Sequence, residues 1–226
     1  MVRKWVLKCK DDSETANWLI VNTKMCPKCR SSIQKSGGCN HMVCKLCQFE
    51  FCWVCSEEWK RHGQGTGGYY SCNRFDAEKS KKTTSDATKT NLERYLHYYH
   101  RYSNHEQSKK IEDKLRLATE EKMKRMQEEG ETVTYLDVQY LQQATEQLCS
   151  CRHVLQYTYV VGFYLPEGPA KTLFELNQAE LEGATEKLSR ELEMPQVSKM
   201  AVLNAMGSAK NQLAHLLKEQ DKAGDE

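Results

Sequence analysis

Between Cys26 and Cys72 the chain carries eight cysteines, and six of them form three Cys-x2-Cys pairs: Cys26/Cys29, Cys44/Cys47 and Cys52/Cys55. That spacing lets two thiolates converge on one ion, and structural zinc is held in a tetrahedron by four Cys or His ligands. Six ligands fill one site and half of a second. The two still needed come from Cys39, His41, His62 and Cys72. Sequential filling places Cys26, Cys29, Cys44 and Cys47 in the first centre and Cys52, Cys55, His62 and Cys72 in the second. The reverse choice would leave His62 and Cys72, on either side of a glycine-rich loop, without a role.

That arithmetic leaves Cys39 and His41 over. A surplus cysteine is ordinarily an inert thiol, the default for Cys9, Cys149 and Cys151. Cys39 follows Gly37 and Gly38, which permit close approach of another backbone or a bulky substrate. His41 lies two residues on, on the same face of an extended segment. A thiol beside an imidazole is the arrangement of a nucleophile with its base, and Glu50 is the nearest carboxylate to orient the ring. Composition leaves both readings of Cys39 open.

The elements that position these residues fall into three parts. Residues 3–20 read as a helical lead-in, and Met25 to Phe75 as a metal-built module with few aliphatics, too short to rest on an apolar core. The remainder is helical. Leu92, Leu96, Tyr99 and Tyr102, then Ile111, Leu115, Met123 and Met126, recur at helical spacing up to Gly130. A second helix is expected from a capping box at Thr134 and Asp137 to Pro166, and a third from about Lys171 to Leu192. The tail from Ser198 reads as helical but weakly apolar. The leucine and tyrosine stripes meet inside an antiparallel bundle, with the tyrosine hydroxyls at its rim.

The start of the chain lacks the apolar stretch of a secretory signal, which favours a reducing cytosolic or nuclear setting and zinc over disulfides. The longest apolar run, VVGFYL, is too short to cross a membrane. A net charge of +2 gives no basic field, so nucleic acid is not an expected partner.

The stretch CPKCRSSIQKSGGCNHMVCKLCQFEFCWVC, with His62 and Cys72 beyond it, resembles the catalytic zinc domain (second RING-like, or Rcat) of RING-in-between-RING ubiquitin ligases. NLERYLHYYHRYSNHEQS, LQYTYVVGFYL and FELNQAELEGATEKLS resemble the helical Ariadne domain of one branch of that family, and KWVLKCKDDSETANWL the linker helix before the catalytic domain. The resemblance implies a small zinc-stabilised domain with little regular structure followed by an all-α antiparallel helical bundle. The expected divisions are 1–24 (linker helix), 25–75 (zinc domain) and 76–226 (Ariadne domain with its C-terminal tail).

It also implies two zinc ions and a chemistry: ubiquitin passes from a conjugating enzyme's thioester to Cys39 and then to an amine. His41 would take the proton of that amine, and Glu50 would orient His41. Trp53 matches an aromatic that packs or touches ubiquitin. The Ariadne helices are expected to hold the enzyme inactive, through positions including Glu112 and Glu186, until a neddylated cullin-RING ligase releases them. The family's first RING, which receives the conjugating enzyme, and its in-between-RING domain are not expected in this chain. A non-catalytic module that binds ubiquitin or cullin-RING complexes is therefore the alternative.

Overall fold

The computed structural model describes residues 1–5, 23–35, 40–62, 70–75, 87–130, 133–194 and 196–224, apart from the side chains of residues 70, 71, 87–90, 109–113 and 220–224. Two short antiparallel hairpins come first: β1 (Thr23–Met25) with β2 (Ser32–Gln34), and β3 (His41–Val43) with β4 (Glu50–Cys52). A 3-10 turn (Trp59–His62) and the short helix α1 (Tyr70–Asn73) complete the module. Four long helices follow: α2 (Ala87–Glu129), α3 (Tyr135–Tyr164), α4 (Pro169–Glu193) and α5 (Lys199–Gly224). The expected zinc module followed by a helical bundle is the architecture found, although β1 begins at Thr23 rather than Met25. Of the lead-in, residues 2–5 are helical, and residues 6–22 lie outside the described residues.

The three Cys-x2-Cys pairs build three copies of one turn. The residue after each second cysteine (Arg30, Gln48 and Ser56) has positive φ, at 60°, 55° and 62°. Its N–H donates to the carbonyl of the first cysteine: Arg30 to Cys26 at 2.9 Å, Gln48 to Cys44 at 2.9 Å and Ser56 to Cys52 at 2.8 Å. The left-handed conformation costs a side-chain-bearing residue about 1–2 kcal/mol. Apolar packing offsets little of that cost here, because Phe51 and Trp53 are the only non-cysteine apolar side chains of the module buried among the described residues. The burial of Trp53 makes it packing rather than a partner surface.

In the bundle, Leu141, Leu148 and Leu155 on α3, Leu181 and Leu188 on α4, and Val202, Ala209 and Leu216 on α5 are all 0–1% exposed. Each set advances by seven residues, the spacing that keeps one stripe facing a partner helix. The tail is thus a fully packed helix. Its apolar content reads low in sequence because Ala205 and Ala209 are small, and small residues are what let α5 approach α3 and α4 closely. At the α2–α3 turn, a Cβ on Gly130 would lie 2.5 Å from Val133 Cγ2, so the helix ends where only glycine fits. Thr134 then starts α3 with its N–H donating to Asp137 Oδ2 at 2.9 Å and its hydroxyl to the same oxygen at 2.7 Å.

A second cluster joins Trp5 to Tyr95, Tyr102 and Phe163, with ring centroids 5.6, 5.8 and 5.2 Å apart. The lead-in therefore docks on the N-terminal half of α2 and the end of α3. Three of the tyrosine hydroxyls depart from expectation. They point inward: Tyr98 donates to Glu175, Tyr159 donates to Glu182, and Tyr140 keeps a buried hydroxyl without a partner among the described residues. Acceptors on α4 make that inward placement possible, and helical periodicity does not reveal them.

Candidate active site and metal centres

β1 delivers Cys26 and its knuckle places Cys29, while β3 delivers Cys44 and its knuckle places Cys47. The ligand atoms of these four lie within 4.8 Å of one another, and so do those of Cys52, Cys55, His62 and Cys72. Within the first group Cys26 and Cys47 sulfurs are 3.6 Å apart, as are Cys29 and Cys44. In the second, Cys52 and Cys72 are 3.8 Å apart and Cys55 Sγ is 3.2 Å from His62 Nε2. Thiolates about 2.3 Å from a shared tetrahedral zinc would be separated by roughly 3.8 Å. All the described cysteines are free of disulfides. Both donor sets fit zinc, which would supply a fixed tetrahedral anchor rather than any chemistry of its own.

The thiols of each cluster are pushed in opposite directions: Cys44 and Cys52 down by hydrogen bonds to neighbouring side chains, Cys47 up by burial and Cys72 up by the Cys52 and Cys55 thiols beside it. The Ser31 hydroxyl, 3.4 Å from Cys44 Sγ, draws that thiol down to about 6. His62 is pushed up to about 10: burial opposes its charge, but the Cys52 and Cys55 thiols it faces outweigh that. Binding an ion there would displace the imidazole proton. His62 Nδ1 in turn lies 3.3 Å from the Glu58 carbonyl, which turns Nε2 toward the sulfurs.

The two clusters are complete without His41. His41 pairs with Cys52 across the second hairpin, and Val43 with Glu50, so His41 and Glu50 are diagonal neighbours on one face. Their contact, Nε2 to Oε2, is 2.8 Å. The His41 ring also stacks on Trp59, centroids 4.4 Å apart and planes 15° from parallel. Cys39 lies outside the described residues, as do Gly37 and Gly38. Its chain neighbour Asn40 is described and buried.

Around Asn40 the module meets the helical domain. The Asn40 N–H donates to Glu186 Oε2 of α4 at 2.7 Å. Its side-chain carbonyl accepts from Lys35 Nζ at 2.9 Å and from Asn104 Nδ2 of α2 at 2.8 Å, and Lys35 also donates to Asn104 Oδ1 at 2.7 Å. Glu186 thus meets the module at the residue that follows Cys39 in the chain. The Glu112 side chain lies outside the described residues. Lys35, Asn40 and Asn104 were missed by sequence reasoning. Only the position of Asn40, directly after Cys39, offered a signal.

A second junction holds the last zinc ligand. Arg101 of α2 is buried and donates Nε and a terminal nitrogen to the Cys72 carbonyl, and another terminal nitrogen to the carbonyl of His97. Burial and the charge of Arg101 push His97 well down, so its neutral ring donates Nε2–H to the Asn73 carbonyl at 2.9 Å. Asn73 donates to the Glu175 carbonyl at 2.7 Å and to Gln178 Oε1 at 3.0 Å. The segment carrying Cys72 is thus clamped between α2 and α4.

Two zinc-fitting knuckle centres fused to a long-helix bundle define a metal-stabilised module with an attached helical domain. A family model of the IBR domain matches residues 19–65, and one of the Ariadne domain matches residues 93–207. The chain belongs to the Ariadne family. The IBR model falls on the module expected as a second RING-like domain, whereas no in-between-RING domain was expected; the match ends at residue 65, short of Cys72 of the second cluster. Relatives include the E3 ubiquitin-protein ligase ariadne-1 of Drosophila melanogaster, 47% identical over 196 residues that cover 85% of this chain and 38% of that protein. The E3 ubiquitin-protein ligase dbl4 of Schizosaccharomyces pombe is 46% identical over 198 residues, covering 86% of this chain and 38% of dbl4. The E3 ubiquitin-protein ligase ARIH1 of Homo sapiens is 47% identical over 196 residues, covering 85% of this chain and 34% of that protein. The chain thus spans little more than a third of the length of these relatives. Among the described residues no helix is long and apolar enough to cross a membrane.

Proposed function

We propose that this chain is the transferring part of a ubiquitin ligase, with Cys39 as the acceptor of ubiquitin and His41 as the base for its transfer to an amine. The observation that carries the reading is the His41–Glu50 contact of 2.8 Å, made by a histidine that neither metal cluster uses and that follows Cys39 by two residues. The relatives ariadne-1, dbl4 and ARIH1 are named E3 ubiquitin-protein ligases, which supports the same activity.

In the first step the Cys39 thiolate attacks the carbonyl carbon of a ubiquitin thioester. The new S–C bond forms, the donor's C–S bond breaks, and the donor leaves as a thiolate. In the second step a lysine amine attacks the Cys39 thioester, His41 accepts the ammonium proton, and Cys39 departs as a thiolate. The Glu50 carboxylate holds the His41 ring in place and stabilises the imidazolium that forms.

The Asn40–Glu186 and Asn40–Asn104 bonds tie the residue after Cys39 to two helices of the bundle, which supports autoinhibition by the helical domain. Partners under this reading are ubiquitin, a conjugating enzyme that supplies it, and a neddylated cullin-RING ligase that frees the helices, in cytosol or nucleus. The test is incubation of the chain with a ubiquitin C-terminal thioester of a small thiol. A thiol-reducible adduct that disappears in Cys39→Ala, with two zinc ions retained by both proteins, is expected. Zinc loss in Cys39→Ala would instead make Cys39 a ligand.

A further inference from the structure

Trp59 sits in the 3-10 turn that delivers His62 to the second metal cluster, and nothing above requires its aromatic ring. On one side it lies against His41, centroids 4.4 Å apart and planes 15° from parallel. Toward the metal centre it stacks with His62, centroids 5.3 Å apart and planes 12° from parallel. Three nearly parallel rings thus run from the second metal cluster to the imidazole of His41, two residues after Cys39 in the chain. We propose that Trp59 is a positioning residue for His41, transmitting the rigidity of the second metal centre to the base that takes the proton during transfer.

The geometry of the imidazole supports this. A histidine on a two-stranded hairpin has two free torsions. Glu50, on the neighbouring strand, fixes only the direction of Nε2, and it is itself half-exposed, with 51% of its side chain accessible. A hydrogen bond to this exposed carboxylate by itself permits rotation of the ring about the Nε2–Oε2 line. A flat ring at stacking distance removes that freedom, and aromatic contacts of this kind are worth about 0.5–1.5 kcal/mol beyond the area they bury. Trp59 is fixed in turn because its turn is anchored at both ends: Glu58 bridges to Phe51 of β4, and His62 belongs to the metal cluster. His41 belongs to the first strand of the same hairpin, so the stack closes a loop of contacts around the site.

The role rests on the proposed transfer chemistry, and it makes a prediction that separates the two half-reactions. Loading of Cys39 needs no base in the orientation of His41, whereas discharge onto an amine does. Trp59→Leu, which keeps an apolar side chain of moderate size, should load ubiquitin from a small-thiol thioester at the wild-type rate. It should pass that ubiquitin to free lysine on the order of ten- to a hundred-fold more slowly, as expected when a proton acceptor loses its orientation. Trp59→Phe, which preserves a stacking face, should restore discharge to within about three-fold of wild type, since a flat ring is all the position demands.

Two readouts stand apart from turnover. All three proteins should retain two zinc ions, and the His41 ring proton resonances, assigned with His41→Gln, should lie upfield in the wild type and in Trp59→Phe but not in Trp59→Leu. Wild-type discharge by Trp59→Leu with a moved His41 resonance would overturn the positioning role. Equal loss of zinc and of both half-reactions in the Leu and Phe variants would overturn it in favour of a purely structural tryptophan. If no protein loads ubiquitin, the acceptor reading fails and the transfer role with it, whereas the resonance still reports whether the stack exists.

Discussion

Treatment with a strong zinc chelator is expected to unfold residues 23–75 while α2 to α5 stay helical. The module buries Phe51 and Trp53 but no aliphatic side chain among the described residues, and three of its residues hold positive φ. Full burial of one such side chain supplies about 1.5–3 kcal/mol, against a backbone ordering cost of about 1–2 kcal/mol per residue. The difference must come from the metal, since structural zinc contributes on the order of 10–16 kcal/mol per site. The bundle has its own core of leucines spaced by sevens and needs no ion. Far-UV circular dichroism should therefore lose little of its helical signal as tryptophan fluorescence reports exposure of Trp53. A module that keeps its buried Trp53 after both ions are removed would contradict this account of its stability.

The second large effect concerns Arg101. Arg101→Met keeps most of the side-chain volume but strips the donors from the carbonyls of Cys72 and His97. An acceptor left buried and unpaired costs about 1–3 kcal/mol, so the substitution should destabilise the protein by several kcal/mol and lower its thermal midpoint by roughly 6–12 °C. Because Cys72 is a ligand of the second cluster, one of the two zinc ions should pass to a competing chelator at least about ten times faster than in wild type. Arg101→Lys should rescue only part of this, as an ammonium cannot reproduce the guanidinium's forked reach. Unchanged melting and unchanged release of both ions would contradict the clamp.

Spacing made both metal clusters legible because Cys-x2-Cys is a local pattern and ligand number is fixed by chemistry. His62 and Cys72 could be placed by counting alone. The Thr134–Asp137 cap and the end of α2 at Gly130 were legible for the same reason, since caps are written within four residues. The contacts that join module to bundle were not. Asn40 meets Glu186 across 146 positions and Asn104 across 64, and Arg101 reaches Cys72 across 29. Contacts of that range follow no period, and each residue reads alone as a polar helix face. Glu186 emerged only because the resemblance pointed to it. Trp59 was invisible because a lone tryptophan among charged neighbours has no pattern, and its meaning comes from the two imidazoles that folding places beside it.

In the proposed mechanism Cys39 receives ubiquitin and the helical domain restrains it through Asn40. The most direct measurement is the rate at which a small-thiol ubiquitin thioester forms a reducible adduct, followed by intact mass, on the wild-type chain, on Glu186→Ala and on Glu186→Ala combined with Cys39→Ala. Removing the acceptor of the Asn40 N–H should raise the rate by about 5- to 150-fold, the usual range of a coupling between two positions, and the double variant should form no adduct. An adduct that survives loss of Cys39, or equal rates with and without Glu186, would contradict the account.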